Sequence, residues 1–274
     1  MIPNGIVRNN RISNISKMIY ISLTMSRNIN QNRLFQQTSI NGLIGMVDYK
    51  RRTENQNVLK QGLIELQELN IIDIYSDFVL SKGINPYDLK GGTMFFVKFI
   101  NDYVYSKEFL NRFSDEEVDK ELINAGFTYT TVYIDDAVKL FTIKSNHNLA
   151  NMISLYLMAV SRALIGDKGN KFSTESFDSI TRYANINQKT ASTYFTSLFN
   201  AQLLFKLTMR EFRPKTGDIR DHNVYSRWCD RKNIILEIER DWFSKMKLLK
   251  IGDEELSEEK RDLVIKSARE QYAQ

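Results

Sequence analysis

The sequence predicts a mainly α protein with small β segments (α+β), built from two similar units joined by a middle α/β-containing segment. Apolar residues return every three or four positions in several long stretches, and β-favouring runs are short and follow those stretches. The order of apolar helix, short helix, turn, longer helix with a polar head and extended segment also occurs twice. The chain has 274 residues, 42% of them hydrophobic and 26% charged, an ordinary globular composition at a length that favours two or three small cores over one.

Residues 12–25, ISNISKMIYISLTM, set Ile15, Met18, Ile19 and Leu23 at mainly helical spacing and predict a first packed helix, although β-branched residues weaken its propensity. Leu43, Ile44 and Val47 predict a short helix and YKRRT a turn. Val58, Leu59, Leu63, Leu66 and Leu69 then predict a longer helix entered near Thr53 or Asn55. NIIDIY changes to a β-favouring run and closes a first unit, residues 1–80.

Residues 81–147 form the middle segment. SKGINPYDLKGG, with its glycines and Pro86, reads as a linker or exposed loop, and TMFFVKFINDYVY as a buried strand or helix. SDEEVDKELINAG has a helix start and a glycine stop, and FTYTTVYI has β character.

The second unit spans 148–232. In NLANMISLYLMAVSRALIG, Leu149, Met152, Ile153, Tyr156, Leu157 and Val160 make an apolar helix face, with Gly166 as the stop. Ser173 or Thr174 is placed to cap a short helix that carries Phe177, Ile180 and Tyr183. In NINQKTASTYFTSLFNAQLLF the first turn is polar, while Ala191, Tyr194, Phe195, Leu198, Phe199 and Leu203 concentrate in the later turns. A shorter helix at 174–183 and a longer one at 188–201, separated by ANINQ, fit a helix-turn-helix. The alternating sequence around RPKTGD predicts a hairpin beside it, a wing. Residues 233–274 form a helical extension. Ile234, Ile235, Ile238, Trp242, Phe243 and Met246 need a partner there, either the preceding domain or a second copy of the chain in a homodimer.

Charge is uneven along the chain. Before residue 53 stand Arg8, Arg11, Lys17, Arg27, Arg33, Lys50, Arg51 and Arg52 against Asp48 alone, a balance of 8 − 1 = +7 that exceeds the +5 of the whole chain. Such asymmetry favours a polyanion at one region.

The twice-used element order resembles tandem winged-helix proteins, particularly plasmid and phage replication initiators with two such domains. The resemblance rests on INGLIGMVDYKRRTENQNVLKQGLIELQELNIIDIY and TESFDSITRYANINQKTASTYFTSLFNAQLLFKLTMREF. It implies two winged helix-turn-helix units whose longer helices meet the DNA major groove. The implied base-facing residues are Asn55, Gln56, Asn57 and Lys60 in the first unit, and Asn187, Gln188, Lys189, Thr190, Ser192 and Thr193 in the second. Phosphate contacts are implied for Lys50, Arg51 and Arg52, and around the second wing for Arg210, Arg213, Lys215 and Arg220.

The expected function is sequence-specific binding of double-stranded DNA in plasmid or phage replication initiation or in transcriptional control, with replication or transcription proteins as further partners. The long middle segment departs from the initiator pattern and leaves room for a transcriptional regulator or a phage DNA-packaging accessory protein. A non-enzymatic protein-interaction scaffold is the alternative class, and it gains if the polar heads of both longer helices are covered by the folded chain or if their surroundings are electrostatically negative.

Catalytic chemistry has little support. The sequence has no phosphate-cradling glycine-rich loop with its lysine, no HExxH and no HxH pair. Glu116/Glu117 and Asp135/Asp136 are adjacent, so the members of each pair point in different directions. Tyr225 in DHNVYSRWCDR lacks a second catalytic block. Cys229, His147 and His222 are too few for a structural zinc site, and Cys229 cannot form an internal disulfide. The expectation is a cytoplasmic protein with no cofactor, no metal, no membrane span and no enzymatic activity.

Overall fold

The computed structural model describes residues 1–26, 35–100, 128–144, 146–163, 171–213, 218–239 and 266, with 208–213, 218–222, 235 and 237–239 described through the backbone. The chain divides into two compact units. The first comprises Met1–Met158 and Arg182–Ile186, and the second Ala159–Thr181 and Asn187–Gln274.

The first unit opens with β1 (Ile2–Pro3) and α1 (Asn4–Val7), followed by α2 (Asn14–Ser26). Met18, Ile19, Tyr20, Ile21 and Leu23 of α2 are buried, as are Ser16, Lys17 and Ser22, so the helix is enclosed on nearly all sides. Tertiary burial therefore holds a helix whose isoleucines disfavour it intrinsically. After it come β2 (Phe35–Thr38), α3 (Ile40–Met46), α4 (Thr53–Glu68), β3 (Ile72–Tyr75) and β4 (Phe95–Phe99). The strand order is β2-β4-β3, antiparallel throughout.

Helices α2 and α4 meet at Gly62. A Cβ there would stand 2.5 Å from Ile19 Cδ1 and 2.9 Å from Ile15 Cγ2, and Ser16 Oγ lies 3.0 Å from the Gly62 carbonyl. One turn on, Glu65 accepts from Ser13 N at 2.8 Å and from Ser16 Oγ at 2.6 Å, which fixes how the two helices cross.

TMFFVKF resolves as a strand rather than a helix. Phe95, Val97 and Phe99 are buried and Phe96 and Lys98 are half-buried, a period of two. Because β4 is the central strand of this sheet, the first unit runs past the boundary expected at residue 80. The strand expected in FTYTTVYI is short: β5 (Tyr129–Thr130) pairs with β1, and α5 (Ile134–Phe141) begins four residues later. Asp135 is exposed in the first turn of α5, whereas Asp136 is buried and accepts from the Tyr156 hydroxyl at 2.8 Å. The adjacent pair thus does diverge, although Asp136 packs inside rather than at the surface. Tyr156 belongs to α6 (Leu149–Val160), which is buried continuously from Met152. SDEEVDKELINAG, with Glu116/Glu117, lies outside the described residues, as do Gly166 and residues 240–249.

Next come β6 (Phe172–Ser173), α7 (Phe177–Tyr183), α8 (Gln188–Asn200), β7 (Leu204–Arg213), β8 (Asp218–Arg227) and α9 (Arg231–Glu239). The sheet order is β6-β8-β7. Helix, strand, helix, helix, strand, strand, with the last strand in the centre, therefore occurs twice along the chain. Strands β2 and β6 had no sequence expectation: FQQT and FS are too short to alternate. The α7 cap is Ser176, whose Oγ accepts from Ser179 N at 3.1 Å. The expected Ser173 is instead paired in the sheet opposite Tyr225.

The repeat extends to backbone turns. After α4, Ile71 N bonds Leu66 O at 2.9 Å and Asn70 stands at φ 55; after α8, Leu203 N bonds Leu198 O at 3.0 Å and Gln202 stands at φ 54. Both helices thus end in the same left-handed cap. The two short helices also end in left-handed residues, Asp48 at φ 50 and Asn185 at φ 54, and Asp and Asn tolerate that conformation better than most side chains.

Candidate nucleic-acid interface

The two longer helices begin alike and are treated differently by the fold. Lys50, Arg51 and Arg52 are exposed in the turn before α4. Arg52 is the N-cap position and makes no side-chain capping bond. Asn55 Nδ2 donates to the Lys50 carbonyl at 2.8 Å and so closes the turn. Gln56 Nε2 donates to Asn41 Oδ1 of α3 at 3.3 Å, and Lys60 Nζ to the Tyr87 carbonyl at 3.1 Å. Asn57 is exposed.

The loop before β4, read from sequence as a linker or exposed loop, lies against this helix. Asn41 N donates to the Gly91 carbonyl at 2.8 Å, and Pro86 and Leu89 are buried. Gly91 leaves room for the two side-chain ends, since a Cβ would stand 2.8 Å from Gln56 Nε2 and 2.9 Å from Asn41 Oδ1 and these would have to shift. The polar head of α4 is covered in part by its own chain, and three of its four base-facing candidates already have protein partners.

On α8, Ala191, Tyr194, Phe195 and Leu198 are buried, and the opposite side is open. Phe195 stacks on Tyr225 with centroids 5.2 Å apart and tilts against Phe177 at 5.7 Å. Tyr225 is fully buried, and that burial raises its phenol above the ordinary range. Asn187 is the N-cap, accepting from Thr190 N at 2.8 Å, a role worth ~1 kcal/mol. Gln188 and Lys189 are exposed, Gln188 donating to Asp178 Oδ1 at 3.1 Å; Thr190 is half-buried.

Ser192 and Thr193 are exposed, and their hydroxyls donate to the carbonyls of Gln188 at 3.1 Å and Lys189 at 3.5 Å. With the hydroxyl protons turned to the backbone, this face presents oxygen lone pairs and methyl groups outward. Thr196 and Asn200 continue the same exposed face and were missed from sequence; their helical spacing from Ser192 was the available signal. The first turn carries Lys189 and no acid, at the positive end of the helix dipole.

In the β7–β8 ribbon the register sets Arg210 opposite Asp221, Arg220 opposite Glu211 and Arg213 opposite Asp218. Lys215 lies outside the described residues. The basic N-terminal count is also redistributed. Arg8 and Lys17 are buried, so part of that charge is interior rather than offered to a partner.

Among the described residues no group of three or more His, Cys, Asp or Glu could hold a metal ion, and no helix is long and apolar enough to cross a membrane. No protein-family model, curated protein or solved structure matches the chain.

Proposed function

We propose that the chain is a sequence-specific double-stranded DNA-binding protein whose two repeats are winged helix-turn-helix units. Helix α8 reads bases, and the turn at Lys50, Arg51 and Arg52 contacts phosphate. One observation carries this reading: the polar side of α8 is open along its length while the buried Ala191, Tyr194, Phe195 and Leu198 anchor the other side. An anchored helix with a free polar face and a cationic first turn is what the major groove admits. Strand order supports the unit type, because in both repeats the strand after the hairpin connection returns to the centre of a three-stranded sheet.

The role is replication initiation or transcriptional control in the cytoplasm, by recruitment of other proteins, local distortion of the duplex or steric exclusion. The covered head of α4 favours a different task for the first unit: phosphate or protein contact rather than base readout. The scaffold alternative gains from covered polar heads, and that of α4 is covered in part while that of α8 is exposed.

The test is a full base-preference profile of the intact chain and of Gln188→Ala and Lys189→Ala, each with a folding spectrum. A lost base contact costs about 1–3 kcal/mol at the base pair it reads. Profiles identical to that of the unaltered chain would remove α8 from base readout.

A further inference from the structure

The turn joining α7 to α8 is held differently from its counterpart joining α3 to α4. In the earlier turn Asp48 and Lys50 are exposed, and closure is local, with Tyr49 N bonding the Ile44 carbonyl at 3.0 Å. In the later turn Tyr183 and Ala184 are buried, and their successive carbonyls accept hydrogen bonds from side chains of α2. Lys17 Nζ donates to Tyr183 O at 3.0 Å, and Asn14 Nδ2 donates to Ala184 O at 2.8 Å. These partners stand 166 and 170 residues apart in sequence. Asn14 Nδ2 also reaches Asn151 Oδ1 of α6 at 2.7 Å, and the Arg8 guanidinium lies 5.2 Å from the Tyr183 ring centroid. Arg8, Asn14 and Lys17 are all buried. Residues 182–186 accordingly belong to the first compact unit although they form the turn of the second helix pair.

Burying an ammonium is costly unless it is hydrogen-bonded, and the carbonyls at a helix C-terminus carry the partial negative charge that suits it. Packing alone does not call for a lysine here, since a methionine has similar length and would fill an apolar site without that cost. The polar pair has instead a directional consequence. It fixes two consecutive carbonyls just before the left-handed Asn185 and three residues before Asn187, the N-cap of α8.

We infer that Lys17 and Asn14 are positioning residues for α8, setting the turn from which it starts, so that base readout depends on the N-terminal helix α2. The inference rests on the reading of α8 as the base-reading helix.

The test uses the full chain and the variants Lys17→Met and Asn14→Ala. Affinity is measured for the preferred duplex and for random duplex, and amide exchange is followed at Thr190 and Ala191. The expected result is that preference falls about tenfold, equivalent to ~1.4 kcal/mol, through weaker binding of the preferred duplex. Random-duplex affinity and its salt slope stay unchanged, and exchange at Thr190 and Ala191 quickens while that of α4 does not. Folded variants with unaltered preference and exchange would overturn the inference, as would equal losses on both duplexes. Should Lys17→Met fail to fold, Asn14→Ala decides. If the unaltered chain prefers no duplex, the reading of α8 fails, and amide exchange alone judges the positioning role.

Discussion

Replacing Lys50, Arg51 and Arg52 together with alanine probes the phosphate contact without disturbing the fold, for reasons visible in the structure. All three side chains are exposed, and Arg52 makes no side-chain cap bond to α4. The bond from Asn55 that closes the turn goes to the Lys50 backbone carbonyl, which alanine keeps. Arg52 has an extended backbone at φ −111 and ψ 151, open to alanine. Each phosphate neutralised on duplex DNA contributes about 0.9 to the slope of log K against log salt, so the three cations contribute up to about 2.7. Across a fourfold rise in salt, that slope corresponds to about 40-fold in affinity. The assay is a fluorescence-anisotropy titration of random and preferred duplexes at several salt concentrations, with a circular dichroism spectrum of the variant. The expected outcome is weaker binding to all sequences alike and a flatter slope. A folded variant whose slope stays within about 0.5 of the unaltered chain would refute the phosphate contact, and so would altered base preference at undiminished random-duplex affinity.

Gly62→Ala and Gly45→Ala should move thermal stability in opposite directions. Each gains up to about 1 kcal/mol of helix propensity, but a Cβ at Gly62 meets the stiff Ile15 branch and the buried Ile19, an overpacking cost of about 1–3 kcal/mol, whereas Gly45 has nothing within 4 Å. Melting shifts of the same sign would dismiss the close α2–α4 approach. Burial lowers the Lys17 ammonium from 10.5 to about 7, with Glu65 opposing the shift. Between those values the unfolded chain holds the extra proton, so stability rises with pH by about 1.4 kcal/mol per unit. Urea midpoints measured from pH 7 to 9 should show this rise in the unaltered chain and a flatter trend in Lys17→Met. Gln202→Gly should stabilise the fold by about 1 kcal/mol and so raise the unfolding midpoint, because glycine adopts the left-handed cap without a Cβ penalty; a lower midpoint would argue against that backbone conformation.

Much of the fold was legible because helical periodicity is a local property. The apolar spacing of Leu59, Leu63 and Leu66 reports α4, and that of Ala191, Tyr194, Phe195 and Leu198 reports α8, with no knowledge of what each packs against. Short strands were not legible in the same way. Phe35–Thr38 becomes β2 only because β4, far along the chain, supplies the ladder that pairs it. SKGINPYDLKGG reads as a linker because its glycines and proline break regular structure. They also permit the close docking of Gly91 against Asn41 and Gln56, which composition does not reveal.

The candidate site divides along the same line. Sequence alone determined that two helices start with polar turns and continue with apolar faces, since side chains three and four apart share a helix face wherever the helix lies. It determined equally that basic residues crowd the N-terminal region. Tertiary structure decided which polar head is open: the loop bearing Tyr87 and Gly91 folds onto α4, while Gln188, Lys189, Ser192 and Thr193 of α8 remain exposed. It also decided that Lys17 is an interior donor to the Tyr183 carbonyl rather than a surface charge. Composition fixes how much charge a segment carries, but whether that charge meets water, protein or a ligand depends on segments distant in sequence that close over it.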